Sequence, residues 1–282
     1  MAWLIPIGAV LAIAGLLGWR YFNGKRDHAY LSVTEYWVFT TATQLPEQEK
    51  LMDRMISSNP HNRRGFACIG AKEGMLFTDI RLHLGVALKA KNPHIFRPDL
   101  FEEHAVPTKE VLERLSECPA MVKVRYVSEA RIRDTRHLQF LPHMADAVAE
   151  MMEGQVVFDH VTEQFWTAEE FREMLAQNGN SERPEFHIRV AWRPNAEGGG
   201  YAETLGLRKV GIPEFKTQEQ EADKEVLVTG LLMRLAFQLM RDFENHEGPW
   251  EFEEFDDTFF FQPGKVEDGK RIIELTRRQV VG

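Results

Sequence analysis

Between 120 and 128 the chain reads AMVKVRYVS, apolar and polar positions alternating with a period of two. That period places one set of side chains on each face of a strand. The stretches 29–40, 82–90, 185–192 and 271–276 read as further strands, and 65–71 and 75–81 as two more with turn residues between them. Short extended pieces are predicted at 201–205 and 212–216, the first following the turn NAEGGG at 195–200. Elsewhere the period changes to that of helices. Leu51, Met52, Met55 and Ile56 share a face of a helix over 46–58, and a short helix is expected over 108–116. Pro142 is expected to open a helix whose Met144, Ala147, Val148, Met151 and Met152 face inward and which Gly154 stops.

The 155–177 segment has the clearest local signals. QVVFD and EQFW predict a hairpin around His160-Val161-Thr162, and Thr167 with Glu170 forms a capping-box pattern ahead of a helix over 168–177. The longest helix is expected over 221–242, nearly all apolar from 226 to 240 apart from a stripe at Gly230, Arg234 and Gln238. The pattern as a whole predicts an α+β fold, a mixed sheet-and-helix soluble domain. A faint likeness between its two strand-helix halves leaves duplication open.

The N-terminal run AWLIPIGAVLAIAGLLGW, residues 2–19, carries no charge. As a helix it is roughly 27 Å long, near the hydrocarbon thickness of a bilayer. No Lys or Arg precedes it and no small-residue cleavage site follows, which argues against a signal peptide. The expectation is a single transmembrane helix over 1–22, with the bilayer as partner of residues 2–19. A basic juxtamembrane linker at 23–28 follows, then subdomains at 29–178 and 185–282, or one continuous domain. Arg20, Lys25 and Arg26 flank only the C-terminal side, which predicts a single-pass inner-membrane protein with a cytoplasmic C-terminal domain. Gly8, Ala12, Ala14 and Gly18 offer small-residue faces for helix packing in the membrane.

Charge and cysteines narrow the classes further. There are 34 Lys+Arg against 43 Asp+Glu, a net charge of −9. Such a chain is repelled by nucleic acid, so no nucleic-acid partner is expected. The two cysteines, Cys68 and Cys118, suggest no disulfide framework. The chain lacks the P-loop, dinucleotide, nucleophile-elbow, zinc-protease and CxxC patterns, and no cofactor or metal is expected. Asp159 and His160, with Arg131 or Arg133, are the residues an unrecognised hydrolase-like site would use. A turn in which Asp159 and Thr162 bond their own backbone explains the same residues.

Two charged stretches stand out. Lys123 and Arg125 share a strand face that Arg131, Arg133 and Arg136 continue, a candidate surface for a phosphate-bearing ligand, an acidic partner or lipid headgroups. Trp250, Phe252 and Phe255 interleave with acids including Glu253 and Glu254, a candidate acidic-aromatic docking edge. The alternative for both is a half-buried strand with a solvated charged face.

The stretch HMADAVAEMMEGQVVFDHVTEQFWTAEEFREML (143–175) and the segment TLGLRKVGIPEF (204–215) together resemble uncharacterised bacterial domain-of-unknown-function families. The first matches their helix, Gly, strand ending in Asp, and Trp-Thr-x-Glu-Glu helix start. The second matches Thr-x-Gly-Leu … Gly-x-Pro-Glu. The resemblance implies a mixed α+β domain and carries no catalytic residues. Taken together, the sequence predicts a non-enzymatic, membrane-tethered accessory or assembly subunit with membrane-protein partners. A hydrolase-like enzyme and a ligand-binding sensor are the alternatives.

Overall fold

The computed structural model describes residues 31–58, 80–97, 101, 107–129, 132, 135–177, 183–242, 247–254, 257–267 and 269–278. Two sheets organise them, with strand orders β2-β3-β1-β4-β5 and β10-β11-β12-β8-β7-β6. The fold is α+β, but two expectations are corrected. Among the described residues no helix is long and apolar enough to cross a membrane, so the described fold is two sheets with helices and the single spanning helix of the expected architecture is no part of it. Residues 1–22 and 23–28, with Gly8, Ala12, Ala14 and Gly18, lie outside the described residues. The halves are also not copies of one another: the first sheet is wholly antiparallel, whereas the second contains a parallel β8–β12 pair.

The first sheet is built from β1 (Ser32–Thr40), α1 (Gln48–Ser58), β2 (Ile80–Leu88), α2 (Lys109–Glu117), β3 (Ala120–Ser128), α3 (Arg136–Met151), β4 (Gly154–Asp159) and β5 (Gln164–Thr167). Its order 2-3-1-4 with α1 and α3 as crossovers is the split βαβ arrangement of ferredoxin-like sheets, extended by β5. Alternation along β1 sets the two faces. Tyr36 and Val38 pack with α3, while Phe39 packs with Leu115 of α2 and with Phe96 and Phe101. Both faces are therefore covered at β1, and β3 is buried along most of its length despite its alternating sequence.

Helix α3 begins at Arg136, six residues before the predicted start, and runs through Pro142. An interior proline removes one helical hydrogen bond at about 3 kcal/mol. Burial outweighs that here. Leu138 joins the second core while Phe140, Leu141, Met144 and Val148 join the first, so this helix is buried from both sides. Helix α4 (Ala168–Ala176) has the predicted capping box in full: Thr167 Oγ1 accepts from Glu170 N and Glu170 accepts from Thr167 N. Replacing Thr167 by Ala is expected to cost about 1 kcal/mol, read as a lowered denaturant midpoint.

A helical turn, α5 (Pro184–His187), occupies the start of the expected 185–192 strand, because Pro184 sits where a first helical turn tolerates it. The second sheet then comprises β6 (Arg189–Pro194), β7 (Gly199–Leu205), β8 (Glu214–Thr217), β9 (Gln220–Glu221), β10 (Trp250–Glu254), β11 (Asp257–Glu267) and β12 (Lys270–Arg278). Helix α6 (Glu225–Arg241) covers one face of it, burying Leu231, Leu232, Leu235 and Leu239 against Phe215, Phe261 and Ile273. Gly230, Arg234 and Gln238 are exposed, as the apolar pattern predicted.

Candidate functional site

The turn between β4 and β5 is where the two sheets are joined. Asp159 ends β4 opposite Tyr36 of β1, on the face toward α3. Its Oδ1 accepts from Val161 N at 3.0 Å and Thr162 N at 3.2 Å, the turn bonding expected of an Asp at this place. Its Oδ2 is bonded to Lys209 Nζ. Lys209 belongs to a 3₁₀ turn (Leu207–Val210) between β7 and β8, and both partners have no exposed side-chain surface. The ammonium also lies 5.5 Å from the Tyr36 ring centroid. The Lys209 carbonyl accepts from Ser32 Oγ at 2.6 Å and lies 2.9 Å from His137 Nε2, whose ring stacks on Tyr126. One residue of the second sheet's turn thus touches β1, α3 and β4.

Burial pushes the Lys209 ammonium below the usual lysine range, opposed by the Asp159 and Glu214 carboxylates. Burial, reinforced by the Asp159 charge, pushes the Tyr36 phenol well above its own range. Removing a charge from water in this way is costly, and only a close partner of opposite sign makes it tolerable.

A second ionic contact joins the same turn to β6. Glu163 accepts from Arg193 at 2.9 Å, and its carbonyl accepts from Arg189 at 3.0 Å. Arg193 also donates to Glu203 of β7 at 2.7 Å, and Lys270 of β12 bonds the other Glu203 oxygen. Arg193 and Lys270 are thereby engaged with carboxylates of the same chain.

Lys209 is held in place by a local device. Glu214 Oε1 accepts from Gly206 N at 2.8 Å and Arg208 N at 3.0 Å. Its Oε2 accepts from Leu207 N at 3.2 Å and from the Thr204 hydroxyl at 2.8 Å. Thr204 Oγ1 in turn accepts from Phe215 N at 2.7 Å. Gly206 has φ of 122°, and a Cβ there would lie 2.0 Å from the His187 carbonyl oxygen, so only glycine fits. The pattern Thr-x-Gly-Leu … Gly-x-Pro-Glu is the covalent record of this turn.

The predicted site residues are placed as follows. Asp159 is buried, whereas His160 is exposed and its ring lies 4.8 Å from that of Trp37 on the opposite face. The two are not brought together as an acid–base pair. Arg131 and Arg133 lie outside the described residues. Lys123 and Arg125 do share a face, but they close on Glu35 of β1 at 2.9 and 3.0 Å. Glu35 is 4% exposed and also accepts from Trp37 Nε1. Cys118 is buried, and burial raises its thiol to about 11, consistent with an inert side chain. Cys68 lies outside the described residues.

Glu35 carries a pH signature. Burial raises its carboxyl, but Lys123, His160 and the Trp37 donor outweigh that and hold it below the ordinary glutamate value. A folded-state pKa below the unfolded one means stability that is whole above about pH 4.3 and is lost as pH falls through the folded value. Glu203 has the same sign: burial raises it, and Lys270 and Arg193 more than reverse this. Denaturant midpoints measured from pH 6 down to pH 3 are expected to fall less steeply for Glu35→Gln than for the parent protein; equal slopes would remove Glu35 from this account.

The acidic-aromatic stretch divides by parity. Trp250 and Phe252 of β10 are buried in the second core, with Arg234 stacked 5.3 Å from the Phe252 ring. Glu251 and Glu253 are exposed on the other face. Phe255 and the side chain of Glu254 lie outside the described residues. On that outer face Phe260 stands opposite Glu251, and Ile272 and Tyr201 lie further along the sheet. Phe260 and Ile272 are half-buried and belong to none of the hydrophobic clusters.

Tyr36, Lys209, Glu35 and Glu214 are the residues of these polar contacts that sequence reasoning passed over. Lys209 and Glu214 lie inside 204–215 and Asp159 inside 143–175, so these two stretches meet at the buried ion pair. Among the described residues no group of three or more His, Cys, Asp or Glu side chains is arranged to hold a metal ion. No family model, curated protein or solved structure matches the chain.

Proposed function

We propose that this protein is a non-enzymatic accessory or assembly subunit that holds a partner protein against the outer face of its second sheet. The observation that carries this is the outer face of β10–β12, where the half-buried Phe260 and Ile272 lie outside the hydrophobic clusters and exposed acids surround Phe260. Sheets of α+β proteins usually bury their apolar positions on one side and leave polar residues on the other. Aromatic side chains such as Phe are enriched at protein–protein interfaces relative to the rest of the surface. The buried polar cluster supports the same reading from the other direction. Asp159, Lys209 and Tyr36 lock two sheets in register and are closed to a substrate, and His160 faces away from them.

The test is the native size of the full chain after gentle extraction from its own cells. A particle larger than the 32.6 kDa monomer that collapses to monomer in Phe260→Asp/Ile272→Asp, with the denaturant midpoint unchanged, is the expected result. A parent protein that migrates as a solitary monomer would refute the proposal.

A further inference from the structure

We infer that two copies of this chain join through the outer edge of β2, making one continuous sheet across a two-fold axis at Leu84. This contact belongs to the first sheet and is independent of the face proposed above for a partner protein. Strand β2 ends that sheet: it pairs with β3 on one side, and among the described residues no strand pairs with the other. Lys89 N donates to Pro119 O at 2.8 Å, continuing the register that sets Leu88 opposite Ala120. That bond fixes the parity of the ladder. Odd residues of β2 exchange hydrogen bonds with β3, and the N–H and C=O groups of Leu82, Leu84 and Val86 point outward. None of the described hydrogen bonds engages them on that side.

Sheet edges are ordinarily blunted by short length, charge, proline or a bulge. The other three end strands conform. β5 has four residues, β10 has five with Glu251 and Glu253 exposed, and β6 carries Arg189, Arg193 and Pro194. β2 does not: IRLHLGVAL runs for nine residues with no Lys, Pro or acid and no shift of register. Leu82 and Val86, on one face of it, are 39% and 36% exposed.

The strand is complementary to itself. Antiparallel pairing of 80–88 with the same residues of a second copy, all nine in register, puts Leu84 on the axis. Leu82 then stands opposite Val86 of the second copy, and the two Leu84 residues stand opposite each other, so the exposed apolar side chains cover one another. Three pairs of outward residues exchange about six hydrogen bonds. The basic positions Arg81 and His83 fall opposite Ala87 and Gly85, so no like charges oppose. Gly85 fits the same arrangement. A Cβ added there would meet nothing within 4 Å, and the ladder is unbroken, so neither packing nor a bulge within the chain requires glycine. Glycine inside a strand otherwise marks the close approach of a ligand or another backbone. An edge contact of this length is smaller than the roughly 1,600 Å² of a standard interface, so the dimer is weak, with a Kd on the order of micromolar. It dissociates at the dilution of a cell extract, which keeps the native-size measurement above a separate test.

The test is sedimentation equilibrium of the purified full chain from about 1 to 300 µM, a range that brackets this constant. The parent protein is expected to pass from monomer to dimer, and so is Phe260→Asp/Ile272→Asp. Val86→Pro removes an outward N–H and no bond to β3, a change that edge strands tolerate. Leu82→Lys/Val86→Lys sets lysines opposite one another across the axis. Each is expected to raise Kd by about tenfold or more through lost hydrogen bonds or opposed like charges. Val226→Lys/Val266→Lys makes the same charge change at two other exposed valines and is expected to leave Kd unchanged. A parent that stays monomeric throughout, or equal weakening by the two lysine pairs, overturns the inference. Oxidative cross-linking reads the register without depending on those variants. His83→Cys/Gly85→Cys is expected to give a covalent dimer, because only this double variant sets thiols opposite one another between copies; His83→Cys and Gly85→Cys alone are expected to match the parent. A dimer that the double variant does not cross-link beyond the parent's level overturns the β2 edge as its contact.

Discussion

Replacing Asp159 by Asn, or Lys209 by Met, is expected to destabilise the protein by about 3–5 kcal/mol, because each leaves one charge buried without its partner. The neutral replacement matters more than the lost attraction. In the parent structure the pair lies where neither side chain has exposed surface. Once Asp159 is amidated, the Lys209 ammonium has the Tyr36 ring on one side and no carboxylate within bonding reach except by rearrangement of the turn. The double variant Asp159→Leu/Lys209→Met removes both charges and is expected to recover most of the loss, since well-packed apolar pairs often match buried ion pairs. Urea midpoints at pH 7 read all three. A double variant as unstable as the sum of the singles would show that shape, and not charge, governs this junction.

Glu214→Ala is expected to cost about 3 kcal/mol. The carboxylate accepts from the three successive amides of 206–208 and from the Thr204 hydroxyl, and its removal leaves those donors without protein partners. Orphaned donors cost about 1–3 kcal/mol each where water cannot reach them, less where it can. Glu214→Gln retains an acceptor oxygen and is expected to lose about half as much. The distinguishing readout is local: amide hydrogen exchange at 206–209 should speed up in Glu214→Ala by more than exchange in α6 does. Uniform acceleration across the second sheet would mean that the turn has no separate stability. The effect reaches the first sheet as well, because Lys209 sits in the same turn and the carbonyl of Lys209 is shared with Ser32 and His137.

The readable parts of the chain were those in which one local rule acts alone. The β3 alternation, the capping box at Thr167 and the stripe on α6 are each set within a dozen residues, and each is found where periodicity or capping chemistry puts it. Pro142 misled for a tertiary reason: the helix around it is buried between two cores, and that burial overrides a local penalty. Lys123 and Arg125 read as a basic patch because their counter-charge, Glu35, lies about ninety positions earlier and meets them only through strand pairing. Lys209 was invisible for the same reason. A lysine in a turn is ordinarily solvated, and nothing in LRKV indicates that its partner waits at the tip of a hairpin fifty residues upstream. The acidic-aromatic stretch was half legible. Alternation foretold which side chains go inward, but not that the outward acids would border a second, partly exposed aromatic.

The Ser32 hydroxyl bonds a carbonyl 177 residues downstream. A nascent chain must therefore be synthesised well past its fifth strand before its first one is satisfied. Until the 3₁₀ turn emerges, Asp159 and the polar side of β1 remain hydrated, and the sheet that contains them is a surface awaiting its cover. Closing so long a loop adds entropy cost and slows folding relative to local contacts. Contacts within the first sheet can therefore form before the contact that unites the two sheets.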